Sequence, residues 1–238
     1  MSGGLDALLE LQERDLALDR LQHRLDTLPE RDLVASHEAR AADLFARDTR
    51  VRAERDELAR RETRFDDEAR GLEAKAKEVE SKMYSGEITS PRELQAMQAD
   101  VEQLRRHQRD VENRELEVME QREPLDGELA QLDTDRGSLA GELAAARDAL
   151  AVAVGAIDTE MASERAARAE IAGGLDANLV ADYERRRAKA QGIGAARLVG
   201  STCQGCHLSI PSTEVERIRH AAEGSVAYCD NCGCILVP

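Results

Sequence analysis

Four cysteines carry the chemistry most readily named in this sequence. Cys203-Gln204-Gly205-Cys206 and Cys229-Asp230-Asn231-Cys232 are two Cys-x-x-Cys turns with twenty-two residues between them. Each turn can hold two thiolates about a tetrahedral edge apart, with its backbone amides facing the sulfurs. Two such turns complete a Zn-S4 shell. Four thiolates close that shell, so the reading is one structural Zn2+ ion, because a catalytic site keeps a position for water. Thioredoxin-like redox work is the rival for an isolated Cys-x-x-Cys. Two copies with no βαβ pattern around them argue against it. His207 and His220 stand beside a complete ligand set and read as surface histidines. Cys234, two residues past the last ligand, reads as a small apolar filler or a spare reactive thiol.

The flanks of the two turns suit a zinc ribbon spanning residues 195–238. Residues 196–199 precede the first turn as a short strand, 225–228 lead into the second, and 235–237 leave it. Between the turns, residues 211–220 read as one short helix with Ser212 as N-cap and Val215 and Ile218 as its apolar face. A module this small buries too little to fold on hydrophobicity alone. We therefore expect the metal to supply most of its stability.

Residues 175–194 lead into the ribbon as a connecting helix and linker. The helix carries Leu175, Leu179, Val180 and Tyr183 and ends in a cationic run at 185–189. Gly173-Gly174 and the glycines at 192 and 194 read as loose joints. Arg185, Arg186, Arg187, Lys189, Arg197, Arg217 and Arg219 are the candidate nucleic-acid contacts. Cations at a helix C-terminus also simply complement the dipole.

What precedes them, residues 1–174, reads as an antiparallel coiled-coil hairpin. Leu44, Val51, Leu58, Phe65, Leu72 and Val79 recur every seven residues in the first arm. In the second arm Met97, Leu104, Val111, Val118, Leu125, Leu132, Leu139, Ala146 and Ala153 do the same. A sustained heptad repeat implies a supercoiled helix pair. Pro29 breaks the first arm near its start. Pro124 interrupts the second, yet the apolar phase survives it, which predicts a kink and not a break. The tip falls at about 84–91, where Gly86 permits the reversal and Ser90, Pro91 and Glu93 form a helix start. Met83, Tyr84 and Ile88 would be apolar at a place where the hairpin has little left to cover them. They are the candidate partner-binding tip, or they close the turn on each other.

Composition supports this class and excludes others. Charged residues make up 34% of the 238-residue chain and aromatics 2%, too few for a thick aromatic core. No apolar stretch approaches the roughly 20 residues of a membrane helix. The N-terminus has neither the basic nor the apolar region of a signal peptide. Together with clustered Cys-x-x-Cys pairs, this leads us to expect a cytoplasmic protein. No phosphate loop, nucleophile elbow or convincing carboxylate pair is present, so no enzymatic activity is expected. The formal charge of −15 lies wholly on residues 1–174, because 175–238 carry seven basic and seven acidic side chains. Acidic arms would repel a polyanion.

In this order of parts the chain resembles a bacterial family of four-cysteine zinc-ribbon proteins with an N-terminal coiled-coil hairpin. Its 29 Arg against 4 Lys fit a high-GC bacterial genome. The resemblance is carried by residues 83–94 at the tip, by 179–187 before the ribbon, and by Cys203, Cys206, Cys229 and Cys232 with the following Gly233, Ile235 and Leu236. It implies a mainly α fold with a small ribbon of short β-strands, and a non-enzymatic, zinc-binding adaptor or chaperone-like role. Protein partners in transcription and secretion, including an alternative sigma factor, are what such a family implies. Nucleic-acid binding through the ribbon and its Arg cluster is the alternative. Cys234 stands where the family leads us to expect a basic residue. The chain is expected as a monomer or a weak homodimer.

Overall fold

A computed structural model describes residues 3–220 and 225–238. Its helices are α1 (Gly3–Asp26), α2 (Pro29–Tyr84), α3 (Pro91–Gly173), α4 (Ala177–Lys189) and α5 (Ser212–Arg219). Its strands are β1 (Ala195–Val199), β2 (Thr202–Cys203), β3 (Ala227–Tyr228) and β4 (Ile235–Val237). The protein is a helical coiled-coil hairpin followed by a small C-terminal sheet, the class its heptads and cysteines imply. Two compact units make up the chain: Leu33–Ala146, and Met1–Asp32 together with Arg147–Pro238.

In the Leu33–Ala146 unit, α2 and α3 pair in opposite directions. Arg40 meets Glu142 at 3.2 Å, Arg47 meets Glu128 at 2.7 Å, and Arg55 meets Asp126 at 2.9 Å. Arg122 pairs with Glu62, and Arg105 with Glu80. Partners therefore climb one helix as they descend the other. Val51, Leu72, Val111, Val118, Leu132 and Leu139 are buried along the seam. Polar residues also enter it. Asp48 is buried and is held by Arg52 at 2.7 Å and Arg136 at 3.7 Å. The exposed pairs between the helices contribute about 0–1 kcal/mol each, so the apolar seam dominates.

α3 runs through Pro124 without interruption. Pro124 is exposed, so the carbonyl that loses its helical partner can bond water instead. At the tip, Gly86 has φ 79°, the Ser85 hydroxyl donates to the Lys82 carbonyl at 2.9 Å, and Leu94 N–H donates to the Ser90 carbonyl at 3.1 Å.

The other unit begins with α1 against the last turns of α3. Leu21, Leu28, Ile157 and Met161 form the buried contact, flanked by Arg24–Glu160 and Arg14–Glu164 pairs. Asp176 caps α4, accepting from the Asn178 and Leu179 amides at 2.9 and 3.2 Å. The sheet order is β2-β1-β4-β3, with β1 and β4 parallel and the edge strands antiparallel to them.

Alternation along the central strands places two cores on opposite faces of the sheet. Ala195 and its partner Ile235 join Leu8 and Leu11 of α1 and Tyr183 of α4. Ala196, Leu198 and Leu236 face the other way, with Val215 and Ile218 of α5 and the cysteines. That is why 235–237 is an unbroken apolar run, buried at all three positions.

Two expectations change here. Ser212 is the first residue of α5 and not its cap. The position before the helix belongs to Pro211, extended at ψ 140°, and its carbonyl accepts from the amides of Glu214 and Val215. Residues 191–194 are also not loose. Gly194 N–H and Ala195 N–H donate to Gln12 Oε1 at 2.6 and 3.2 Å, and Gln12 Nε2 donates to the Gly192 carbonyl at 2.8 Å. A Cβ on Gly194 would lie 2.7 Å from the Tyr183 ring and carbonyl, so glycine serves close packing there.

Candidate metal centre

The two cysteine turns have the same backbone. In the first, His207 N–H donates to the Cys203 carbonyl at 2.8 Å, and Cys203 N–H donates to the Leu208 carbonyl at 3.1 Å. In the second, Gly233 N–H donates to the Cys229 carbonyl at 2.8 Å, and Cys229 N–H to the Cys234 carbonyl at 3.0 Å. The residue after each second cysteine is left-handed, His207 at φ 61° and Gly233 at φ 74°. Leu208 and Cys234 thus occupy equivalent places. Glycine meets the left-handed requirement without strain, whereas histidine costs about 1–2 kcal/mol there.

These turns bring the sulfurs of Cys203, Cys206, Cys229 and Cys232 within 4.8 Å of one another. Across the turns, Cys203 Sγ lies 4.0 Å from Cys232 Sγ, and Cys206 Sγ lies 3.8 Å from Cys229 Sγ. A tetrahedral zinc with Zn–S bonds of about 2.3 Å has sulfur–sulfur edges of about 3.8 Å, so the donor set fits that ion. The group holds cysteines alone; His207 and His220 are exposed, and His220 pairs with Glu216 at 3.2 Å. Cys203 and Cys229 are buried, while Cys206 and Cys232 are half-buried. Burial pushes the Cys229 thiol up to about 12, and the nearby sulfurs add to it. A bound cation reverses that balance by stabilising the thiolates.

Cys234 is wholly buried, with its sulfur 3.3 Å from Cys232 Sγ and 3.6 Å from Cys203 Sγ. It packs in the ribbon core beside Gly205 and the apolar residues of α5.

Most of the candidate nucleic-acid cations are committed within the chain. Arg186 donates to Asp182 at 2.8 Å and to the Gly233 carbonyl at 2.7 Å, and its guanidinium stacks 3.5 Å over the Tyr228 ring. It ties α4 to the second cysteine turn, and it holds the Asp182 carboxyl below the usual carboxylate range. Arg185 pairs with Asp182, Arg187 with Asp19, Arg197 with Asp6, and Arg217 with Glu214. Arg219 donates to the Gly200 carbonyl at 3.2 Å. Lys189 is exposed and has no ion-pair partner among the described residues. At the tip, Tyr84 is 86% exposed, and Met83 and Ile88 are half-buried.

Sequence reasoning missed the residues that seat the ribbon. Gln12 and Asp15 of α1 are both buried. Asp15 accepts from Arg168 at 2.7 Å and from the Tyr183 hydroxyl at 2.7 Å. Their spacing with Leu8 and Leu11 puts all four on one helix face, which is the signal that could have found them. No helix among the described residues is long and apolar enough to cross a membrane.

Comparison with known proteins agrees with this geometry. Residues 11–191 match the CT398-like coiled coil hairpin domain, and residues 202–236 match the C4-type zinc ribbon domain. An uncharacterised protein of Mycobacterium tuberculosis is 33% identical over 234 residues, 97% of this chain and 94% of its own length. A solved Mycobacterium smegmatis protein superposes with TM-score 0.88 at 27% identity, covering 99% of this chain and 97% of that one. CT398 from Chlamydia trachomatis shares the fold, with TM-score 0.74 at 17% identity over 98% of this chain and 97% of its own. The chain belongs to the CT398-like coiled-coil hairpin family and carries that hairpin together with a C4-type zinc ribbon.

Proposed function

We propose that this protein is a non-enzymatic adaptor, or chaperone-like protein, that holds one structural zinc ion and engages a protein partner through its hairpin and ribbon. Four thiolates fill a tetrahedral shell and leave no position for a substrate or an activated water. The observation that carries the adaptor reading is the internal commitment of the cations on α4 and the ribbon. Arg185, Arg186, Arg187, Arg197 and Arg217 all face carboxylates of the same chain. Arg186 stacks on one face of Tyr228 and takes that face from any base. By contrast Tyr84 stands almost bare at the tip, beside Met83 and Ile88. The family resemblance directs such an adaptor to transcription or secretion, and the clustered Cys-x-x-Cys pairs suit a reducing, cytoplasmic compartment.

The second reading, nucleic-acid binding by the ribbon, is favoured by Lys189 and by the exposure of Arg185, whose surface ion pair a phosphate could replace. Fluorescence anisotropy separates the two. Labelled single-stranded RNA and duplex DNA are titrated with the full chain at low and moderate salt. The adaptor reading expects no salt-sensitive binding at about 10 μM protein, within the range of about 10⁻⁴–10⁻⁶ M typical of non-specific association. Salt-sensitive binding that is abolished by Arg185→Glu with Lys189→Glu would overturn it in favour of nucleic acid. A photo-crosslinker at position 84, compared in cells with one on the solvent face of α2, then tests the tip. Equal labelling at both positions removes the tip from the proposal.

A further inference from the structure

The second cysteine turn differs from the first at the residue two past its second ligand. Where the first has Leu208, 53% exposed, the second has the thiol of Cys234, wholly buried against the ligand sulfurs. Left-handed Gly233 folds the intervening backbone so that Cys232 and Cys234 place their sulfurs 3.3 Å apart. A disulfide needs about 2.05 Å, a gap that side-chain movement can close. Cys232 is also the half-buried ligand that Cys234 touches, whereas Cys203 and Cys229 are sealed inside.

We propose that Cys232 and Cys234 form a hydroperoxide-responsive dithiol whose closure releases the zinc ion. The inference rests on the zinc reading of the four-cysteine set. The Cys232 thiolate, the more accessible sulfur, attacks one oxygen of a hydroperoxide. The O–O bond breaks, an S–O bond forms, and the departing alkoxide takes up a proton as alcohol, or as water when the oxidant is hydrogen peroxide. Cys234 sulfur then attacks the sulfenic sulfur. The S–S bond forms as the S–O bond breaks, and the hydroxide carries off the Cys234 proton as water. Two thiols lose two electrons and the peroxide gains them. Closure removes one of four thiolates from the set, and with it the hold on the metal. A dithiol reductant reverses the step, because a disulfide is reducible where a sulfinic acid is not. In this scheme Cys234 protects as well as triggers, capturing Cys232 before over-oxidation.

The test uses the full chain in wild-type, Cys234→Ala and Cys234→Val forms, the valine filling the buried volume if alanine loosens the core. Zinc stoichiometry is measured first. Each protein then meets hydrogen peroxide with a chromogenic zinc chelator present, followed by alkylation and fragment-ion mapping of the C-terminal peptide. Finally dithiothreitol and zinc are added back. The wild type is expected to release zinc, to show a Cys232–Cys234 link, and to recover its zinc. The variants are expected to accumulate Cys232 sulfinic acid and to lose that recovery. Variants that release and regain zinc as the wild type does, or a wild-type link joining Cys206 to Cys229, overturn the proposal while leaving the zinc site standing. A wild type that purifies without zinc and does not take it up overturns both.

Discussion

The phenol of Tyr183 on α4 donates a 2.7 Å hydrogen bond to the carboxylate of Asp15 on α1, 168 residues earlier in the chain. Both groups are buried, and Arg168 of α3 closes the other side of the carboxylate at 2.7 Å. Three helices therefore meet at one paired charge beneath the ribbon. A buried hydrogen bond to a charged group is worth about 1.5–3 kcal/mol, so Tyr183→Phe should destabilise this unit by about that much. Asp15→Ala should cost more, because it leaves the buried phenol without its acceptor and Arg168 with Glu184 as its remaining carboxylate. Urea denaturation followed by circular dichroism checks both, and equal stability of all three proteins would remove the network from the account.

Gly194 is confined by that same tyrosine. Its missing Cβ would sit 2.7 Å from the Tyr183 ring and from the Tyr183 carbonyl, and the carbonyl cannot rotate away. Gly194→Ala should therefore cost about 1–3 kcal/mol, as overpacking does. Gly200→Ala is the informative companion, since it has a left-handed φ of 61° but open space around it. Gly194 itself has no left-handed φ, so a Gly194→Ala protein as stable as the wild type would remove close packing from the account.

The equivalence of the two cysteine turns predicts opposite signs for two substitutions. His207→Gly relieves a left-handed non-glycine residue, and Gly233→Ala creates one. Each change should move stability by about 1–2 kcal/mol, the first upward and the second downward. Retention of zinc against a competing chelator should follow the same order. A weaker hold in the His207→Gly protein would mean that the imidazole has a role the geometry does not assign.

Zinc removal should act locally. Chelation is expected to dissolve the core around Cys203, Val215, Ile218 and Leu236 while most helical circular dichroism survives, because the coiled-coil seam contains none of these residues. Loss of most helicity would refute this. The pH dependence follows from the thiols. Burial raises Cys229 to about 12, so in the metal-free ribbon it is protonated at neutral pH and must shed its proton to bind. Binding releases protons, so higher pH favours the metal-bound ribbon and acid favours the free one. Chelator competition between about pH 6 and pH 8 should show zinc affinity rising with pH. A flat profile would mean that the thiols are already ionised.

Much of this protein was legible because its signals are local or strictly periodic. Cys203, Cys206, Cys229 and Cys232 declare a four-sulfur set by spacing alone, since each turn spans only four residues. Heptads through Val111 and Leu132 declare paired helices, and Gly86 with Pro91 declares where the chain reverses. Even the apolar phase across Pro124 correctly foretold a continuous helix. The seating of the ribbon was another matter. Gln12 reaches Gly194 across 182 residues, and Arg186 reaches Gly233 across 47, with nothing in either segment naming the other. Arg186 looked like one member of a cationic run, and only its stacking on Tyr228 and its bond to Gly233 make it a strut. Residues 191–194 looked loose because glycine signals freedom equally with close approach, and the Tyr183 ring decides between them. The amino-acid sequence by itself determined the four sulfurs and the helices, whose hydrogen bonds and apolar contacts repeat at short, fixed intervals. The tertiary structure alone decided what Cys234 touches, which cations are spent on internal carboxylates, and what pins the ribbon, because those contacts join residues that only folding brings together.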